Sequence, residues 1–127
     1  MTDLRDAKGF TLIELLVAVA IVAILAAIAI PWVSAYRQRS FDARATSDLR
    51  NAATAEEAHF ATTSVYVQCI DASCNDPTLP GFELSDDVRL FMFSLSLAGE
   101  PIYLGISWSD DGTGQFFVWR SDIGGML

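Results

Sequence analysis

Between Phe10 and Ile30 the chain runs for twenty-one residues in which Thr11 and Glu14 are the only polar side chains. At about 1.5 Å per residue, a helix of that length is about 31 Å long, enough to cross the hydrocarbon core of a bilayer. The stretch therefore reads as a membrane segment. A plain anchor has no use for an acid, and an acid near the centre of a span costs roughly 2.5–3.5 kcal/mol on insertion scales. Glu14 lies near the end of the span, where the cost is smaller but remains unfavourable unless a positive group meets it. Cleavage after Gly9 would make such a group, because the new chain would begin at Phe10 with a free α-amino group at nearly the depth of Glu14 on a neighbouring chain.

The residues KGFTLIELL, with Gly9 before the apolar run, Phe10 opening it, Glu14 inside it and Pro31 at its end, resemble the class III signal of type IV pilins. The resemblance implies that a prepilin peptidase cuts between Gly9 and Phe10, that Phe10 becomes N-methylated, and that Glu14 directs subunit docking. It also implies storage in the inner membrane as a precursor, the pilus assembly machinery as partner, and a homo-oligomeric helical filament outside the cell. Ser47 to Phe60, SDLRNAATAEEAHF, matches the continuing helix of short pilins more loosely. A type II secretion pseudopilin and a minor pilin carry the same signal and are the nearest alternatives. A single-pass membrane protein left uncut at Lys8-Gly9, which never polymerises, is the alternative of a different class. A conventional secretory signal has a shorter apolar region with a small-residue cleavage site after it; here the run is long and ends in Pro31-Trp32, although Ala26, Ala27 and Ala29 imitate such a site.

The charge balance narrows the partners. Sixteen acids against eight bases leave a net charge of −8, and the one lysine, Lys8, lies in the expected leader. An acidic surface repels nucleic acid phosphates, so nucleic acid is an unlikely partner. Arg37, Arg39, Arg44 and Arg50 cluster just past the apolar run, and no Lys or Arg occurs again until Arg89. By the positive-inside tendency this flank would stay cytoplasmic. The resemblance implies the reverse orientation, with Arg5, Lys8 and the amino terminus holding the leader in the cytoplasm.

Along the chain the pattern predicts a leader at 1–9, a transmembrane or filament-core helix at 10–31, and a globular domain at 32–127. Pro31 removes one backbone donor and crowds the carbonyl of Ala27, so a kink is expected rather than an end. Phe41, Ala45, Leu49, Ala52 and Phe60 recur along one side of an amphipathic helical half at 32–62, with Arg44, Asp48 and Glu57 on the remaining faces. Residues 63–87 read as a disulfide loop with a short extended piece at Val65–Val67. Three strands are predicted at Val88–Leu97, Ile102–Trp108 and Gln115–Arg120, an antiparallel sheet over 88–121. Phe91, Phe93, Leu95 and Leu97 are expected to form the core-facing side of the first. The fold class is α+β, a long N-terminal helix packed on a small three-stranded antiparallel sheet.

Cys69 and Cys74 are the only cysteines, separated by IDAS. An even count in a segment expected outside the cytoplasm favours a disulfide, and so short a ring serves local stiffening, since even a fifteen-residue loop contributes only about 3 kcal/mol. No cofactor is expected. His59 beside Glu56 and Glu57 is a solvated helix face, no catalytic set is present, and the chain is not expected to be an enzyme. Asp110-Asp111-Gly112 and Asp86-Asp87 lack the spaced oxygens of a calcium loop and read as turns, so no metal site is assigned. Phe10, Trp32, Tyr36, Phe41 and Phe60 lie along the helix; packing explains them better than an electron-conducting filament, and Trp32 and Tyr36 suit the interfacial belt of a membrane-held subunit.

Overall fold

A computed structural model describes residues 9–127; most of the expected leader therefore lies outside the described residues. The chain divides into two compact units, Met1–Ala35 and Tyr36–Leu127. One helix, α1 (Leu12–Thr63), contributes to both. No glycine interrupts it, and Pro31 lies inside it without ending it. In the first unit α1 is apolar on every face, and its large side chains are all exposed, from Leu12 to Val33.

In the second unit α1 buries a single stripe: Asp42, Ala45, Asp48, Leu49, Ala52, Ala53, Ala55 and Glu56. The spacing is that of one helical face. The sheet packed on this stripe has five strands in the order β1 (Cys69–Ile70), β2 (Val88–Leu97), β3 (Glu100–Ser109), β4 (Phe117–Arg120) and β5 (Gly125–Met126), all neighbours antiparallel. The α+β class is as expected, but the sheet has five strands rather than three. The two extra strands form its edges, and each is two residues long, too short to show alternation in the sequence. The expected extended piece at Val65–Val67 is not a strand; pairing starts at Cys69, opposite Met92. The turn between β2 and β3 is also tighter than expected, with Ala98 and Gly99, both at positive φ, as its centre and Glu100-Pro101 already in β3.

The faces of β2 are the reverse of those expected. Val88, Leu90 and Met92 point into the core, while Phe93, Leu95 and Leu97 are exposed and Phe91 is half-buried on the outer side. The reason lies in β3, whose inward residues are Tyr103, Gly105, Ser107 and Ser109. Small groups there let the sheet approach the alanines of α1. A Cβ on Gly105 would lie 2.8 Å from Leu49 Cδ1 and 2.9 Å from Met92 Sδ, so this position tolerates only glycine without a shift. Ser107 Oγ donates to the Ala45 carbonyl at 2.8 Å, and the Tyr103 hydroxyl to that of Ala53 at 3.3 Å. Apart from Tyr103, the aromatic side chains of both strands are left on the outer face, where Phe91 stacks on Trp108 at 5.5 Å between ring centres.

Asp48 was expected on a polar face and is instead 7% exposed on the core stripe. Its Oδ2 accepts the Ser85 N–H at 3.0 Å. Asp42 and Glu56 share this arrangement: Asp42 accepts the Thr113 N–H at 3.1 Å and the Thr113 hydroxyl at 2.6 Å, and Glu56 Oε1 accepts the Val67 N–H. Three carboxylates on one buried stripe thus each hold a different loop by its backbone. Buried polar groups are retained where they satisfy such donors, and the alternation of apolar residues alone does not reveal them.

Candidate functional site

Gly9 and Phe10 precede α1, and both are exposed, Phe10 to 88%. Thr11 is the residue before the first helical turn, and Glu14 lies three positions on. The Thr11 N–H and hydroxyl donate to Glu14 Oε2 at 2.8 and 2.7 Å, and the Glu14 N–H donates back to Thr11 Oγ1 at 3.3 Å. This is a capping box: two of the backbone donors that a helix start leaves without partners are satisfied reciprocally. The T-x-x-E spacing that signals it is plain in the sequence, and Thr11 belongs to the site although the docking argument names only Glu14. Within this unit, Glu14 Oε1 makes no hydrogen bond among the described residues, so the carboxylate keeps one oxygen for an incoming cation.

Beyond Glu14 the unit offers an unbroken apolar surface. The helix has a mean hydropathy of 3.0 over an eighteen-residue window, and none of that window is buried. Each large apolar side chain left in water forgoes roughly 1.5–3 kcal/mol. So many of them on one helix require a cover of lipid or of other helices. Pro31 remains within the helical run, exposed like its neighbours.

The structure joins Cys69 and Cys74, with Cα atoms 5.0 Å apart. Both are buried, and the bond closes the single 3-10 turn Asp71–Cys74 against β1. Asp71 Oδ1 accepts the Leu90 N–H at 3.0 Å, tying this turn to β2. Of the acids weighed as oxygen ligands, Asp87 pairs with Arg44 at 2.8 Å and Asp110 with Arg89 at 3.0 Å, the same guanidinium also reaching Asp71 at 3.1 Å. Among the described residues no cluster of three or more His, Cys, Asp or Glu side chains is placed to hold a metal ion.

Glu56 is the perturbed group of the second unit. Burial raises its carboxyl to about 7, the Val67 N–H opposing and the neighbouring Glu57 adding to the rise. Its Oε2 is buried without a hydrogen-bond partner. Burial likewise raises the Tyr66 phenol, with Glu57 close by. Tyr66 stacks on Phe60 with ring centres 4.1 Å apart and meets Tyr103 at a tilt, with centres 4.9 Å apart.

The prokaryotic N-terminal methylation motif matches residues 4–30, which spans Gly9, Phe10, Thr11 and Glu14. Over 116 residues the chain is 35% identical to the type IV wide pilus major component PilA4 of Thermus thermophilus, a match covering 91% of this chain and 81% of that protein. A fimbrial protein of Pseudomonas aeruginosa is 50% identical over 54 residues, 42% of this chain and 35% of that one. The type IV major pilin protein PilA of Myxococcus xanthus is 47% identical over 53 residues, 42% of this chain and 24% of that one. No solved structure matches the chain. With the methylation motif at its start, a long helix packed on an antiparallel sheet, and a pilus protein matched along nearly its whole length, the chain belongs to the type IV pilins and is a structural pilus subunit.

Proposed function

We propose that the chain is made as a membrane-held precursor with a leader at 1–9, cut between Gly9 and Phe10, methylated at the new amino terminus, and packed through residues 10–31 into an extracellular homopolymer. Residues 32–127 form the domain that faces outward. Prepilin peptidase and the assembly machinery are the partners of the first steps. The observation that carries this reading is the helix surface of the first unit, apolar on every face and uncovered. Lipid covers it before assembly, and neighbouring helices cover it afterwards. Glu14 supplies direction: its free oxygen meets the α-amino group of Phe10 on an adjoining subunit, since a carboxylate in apolar surroundings is stable only when paired. The likeness along nearly the whole chain to a major pilus component favours a shaft subunit over a pseudopilin or minor pilin.

The test is the yield of sheared extracellular fibres relative to total subunit. Glu14→Ala should be processed, should accumulate in the membrane and should give few or no fibres, and Glu14→Arg should do worse, because two positive groups would then face each other. Wild-type yields from Glu14→Ala would mean that docking does not use this carboxylate. Intact mass of the fibre subunit should begin at Phe10 and carry one methyl group; a subunit that retains Met1 would refute the processing step.

A further inference from the structure

We propose that the second unit carries two complementary flanks through which one copy of this chain docks laterally on the next, a basic groove around Arg39 and Arg50 receiving the acidic loop around Glu83 and Asp86. The inference rests on the filament reading above and adds a second, electrostatic contact to it. It starts from a difficulty: subunits of net charge −8 repel one another at close range, so a polymer of them must bring cations against acids.

The available cations are few. Arg44, Arg89 and Arg120 are each engaged by an acid of the same chain. Arg37, Arg39 and Arg50 are exposed and make no ion pair or hydrogen bond among the described residues, and the last two line one open groove whose walls are Thr46, Ser47, Gln115 and Phe117. The groove lies where α1 meets the β3–β4 connection. Asp42 at its edge accepts from Thr113 and forms no ion pair with either arginine among the described residues, so the groove holds two arginines against one acid.

The acidic counterpart lies on the other flank of the same helix. Between Arg50 and Arg89 there is no Lys or Arg, and Glu83 and Asp86 are exposed and without a partner among the described residues. Glu83 lines a second recess with Ala55 and Ala58. On a helix of 3.6 residues per turn, this recess lies about 100° round from the arginine groove and about 14 Å further along the axis. Two complementary patches at different places on one subunit can pair head to tail from copy to copy, as a heterologous contact, and patches at different heights along an axis then propagate as a screw rather than a flat ring. The charge arrangement therefore suits an open helical polymer of identical copies.

The experiment reverses each flank in the full-length protein and measures sheared fibres against the membrane pool. Arg39→Glu with Arg50→Glu leaves both flanks acidic, and Glu83→Arg with Asp86→Arg leaves both basic. Each pair should lower fibre yield roughly tenfold or more, because like charges then face each other. Co-expression of the two variants, or all four changes in one chain, should restore fibres, which also shows that the variants fold. A further readout uses the absence of lysine after Lys8. Arg50→Lys introduces one side-chain amine, and zero-length carbodiimide coupling should join it to Glu83 or Asp86 of another subunit in fibres but not in detergent-dispersed monomers. Wild-type yields from both reversal pairs, or losses that neither combination repairs, would overturn the flank pairing while Glu14→Ala still abolished fibres. A wild-type chain that forms no fibres would overturn both readings.

Discussion

From Leu12 to Val33 the large apolar side chains of α1 are 51–81% exposed, while further along the same helix Asp42, Asp48 and Glu56 are 7%, 7% and 0% exposed. The two regions invert the usual sorting of residues, and each inversion has its own cause. In the first unit none of the described residues covers the apolar surface, which therefore calls for a cover such as lipid or other helices. In the second, loops that pass over the helix carry backbone N–H groups that would be buried without acceptors, and the acids supply them. Exposed leucines here mark assembly. Buried aspartates mark attachment of loops.

The largest expected effect tests whether the buried acids all stabilise the fold. The Glu56 carboxyl is raised to about 7 from its ordinary 4.5, so the folded state holds more protons than the unfolded state between those values. Stability from this residue is therefore fully present below about pH 4.5 and lost as pH rises to about 7. Glu56→Gln keeps an oxygen for the Val67 N–H and removes the charge. Thermal unfolding in detergent should find the variant more stable than wild type by about 3 kcal/mol near pH 8, with the difference gone near pH 4. Parallel pH profiles of the two proteins would show that Glu56 behaves like an exposed acid, and the contrast with the first unit would then weaken.

Overpacking comes next. Gly105→Val places side-chain atoms where Leu49 and Met92 already lie and should destabilise the second unit by about 2–3 kcal/mol, whereas Ala23→Val, in the exposed half of α1, should leave its unfolding temperature unchanged. A shift of similar size from Ala23→Val would break the division between the units. Asp42→Ala should cost about 1–2 kcal/mol by stranding the Thr113 N–H and hydroxyl, and Asp42→Asn should recover part of it because an acceptor returns. If Ala and Asn behave alike, the side chain does not hold the β3–β4 loop. Phe93→Ser should have the smallest effect, within about 0.5 kcal/mol, because this ring is on the outer face of the sheet. A cost above about 3 kcal/mol would indicate the core-facing orientation that alternation alone suggests.

Much of the first unit was legible without coordinates. A run of apolar residues is a local property, and so are Gly9 before it, Glu14 within it and the T-x-x-E spacing that caps it. Helix length followed from an apolar run continued by an amphipathic pattern, and the extent of β2 followed from turn residues on either side, whereas β3 begins two residues before the expected Ile102. The pairing of Cys69 with Cys74 was expected from their number and compartment.

The tertiary structure decided what depends on non-local neighbours. Both faces of β2 carry apolar residues, Val88, Leu90 and Met92 on one and Phe91, Phe93, Leu95 and Leu97 on the other. Alternation therefore cannot select the buried side. The alanine stripe of α1 and the small inward residues of β3 select it, because only the smaller set lets helix and sheet close. The edge strands β1 and β5 exist because longer strands offer them hydrogen bonds, and two residues carry no pattern of their own. Asp48 reads as a surface residue in any helical wheel until Ser85, thirty-seven positions away, brings its N–H to it. Sequence settles what a segment prefers by itself; packing settles which side of it is used, since that choice depends on residues far along the chain.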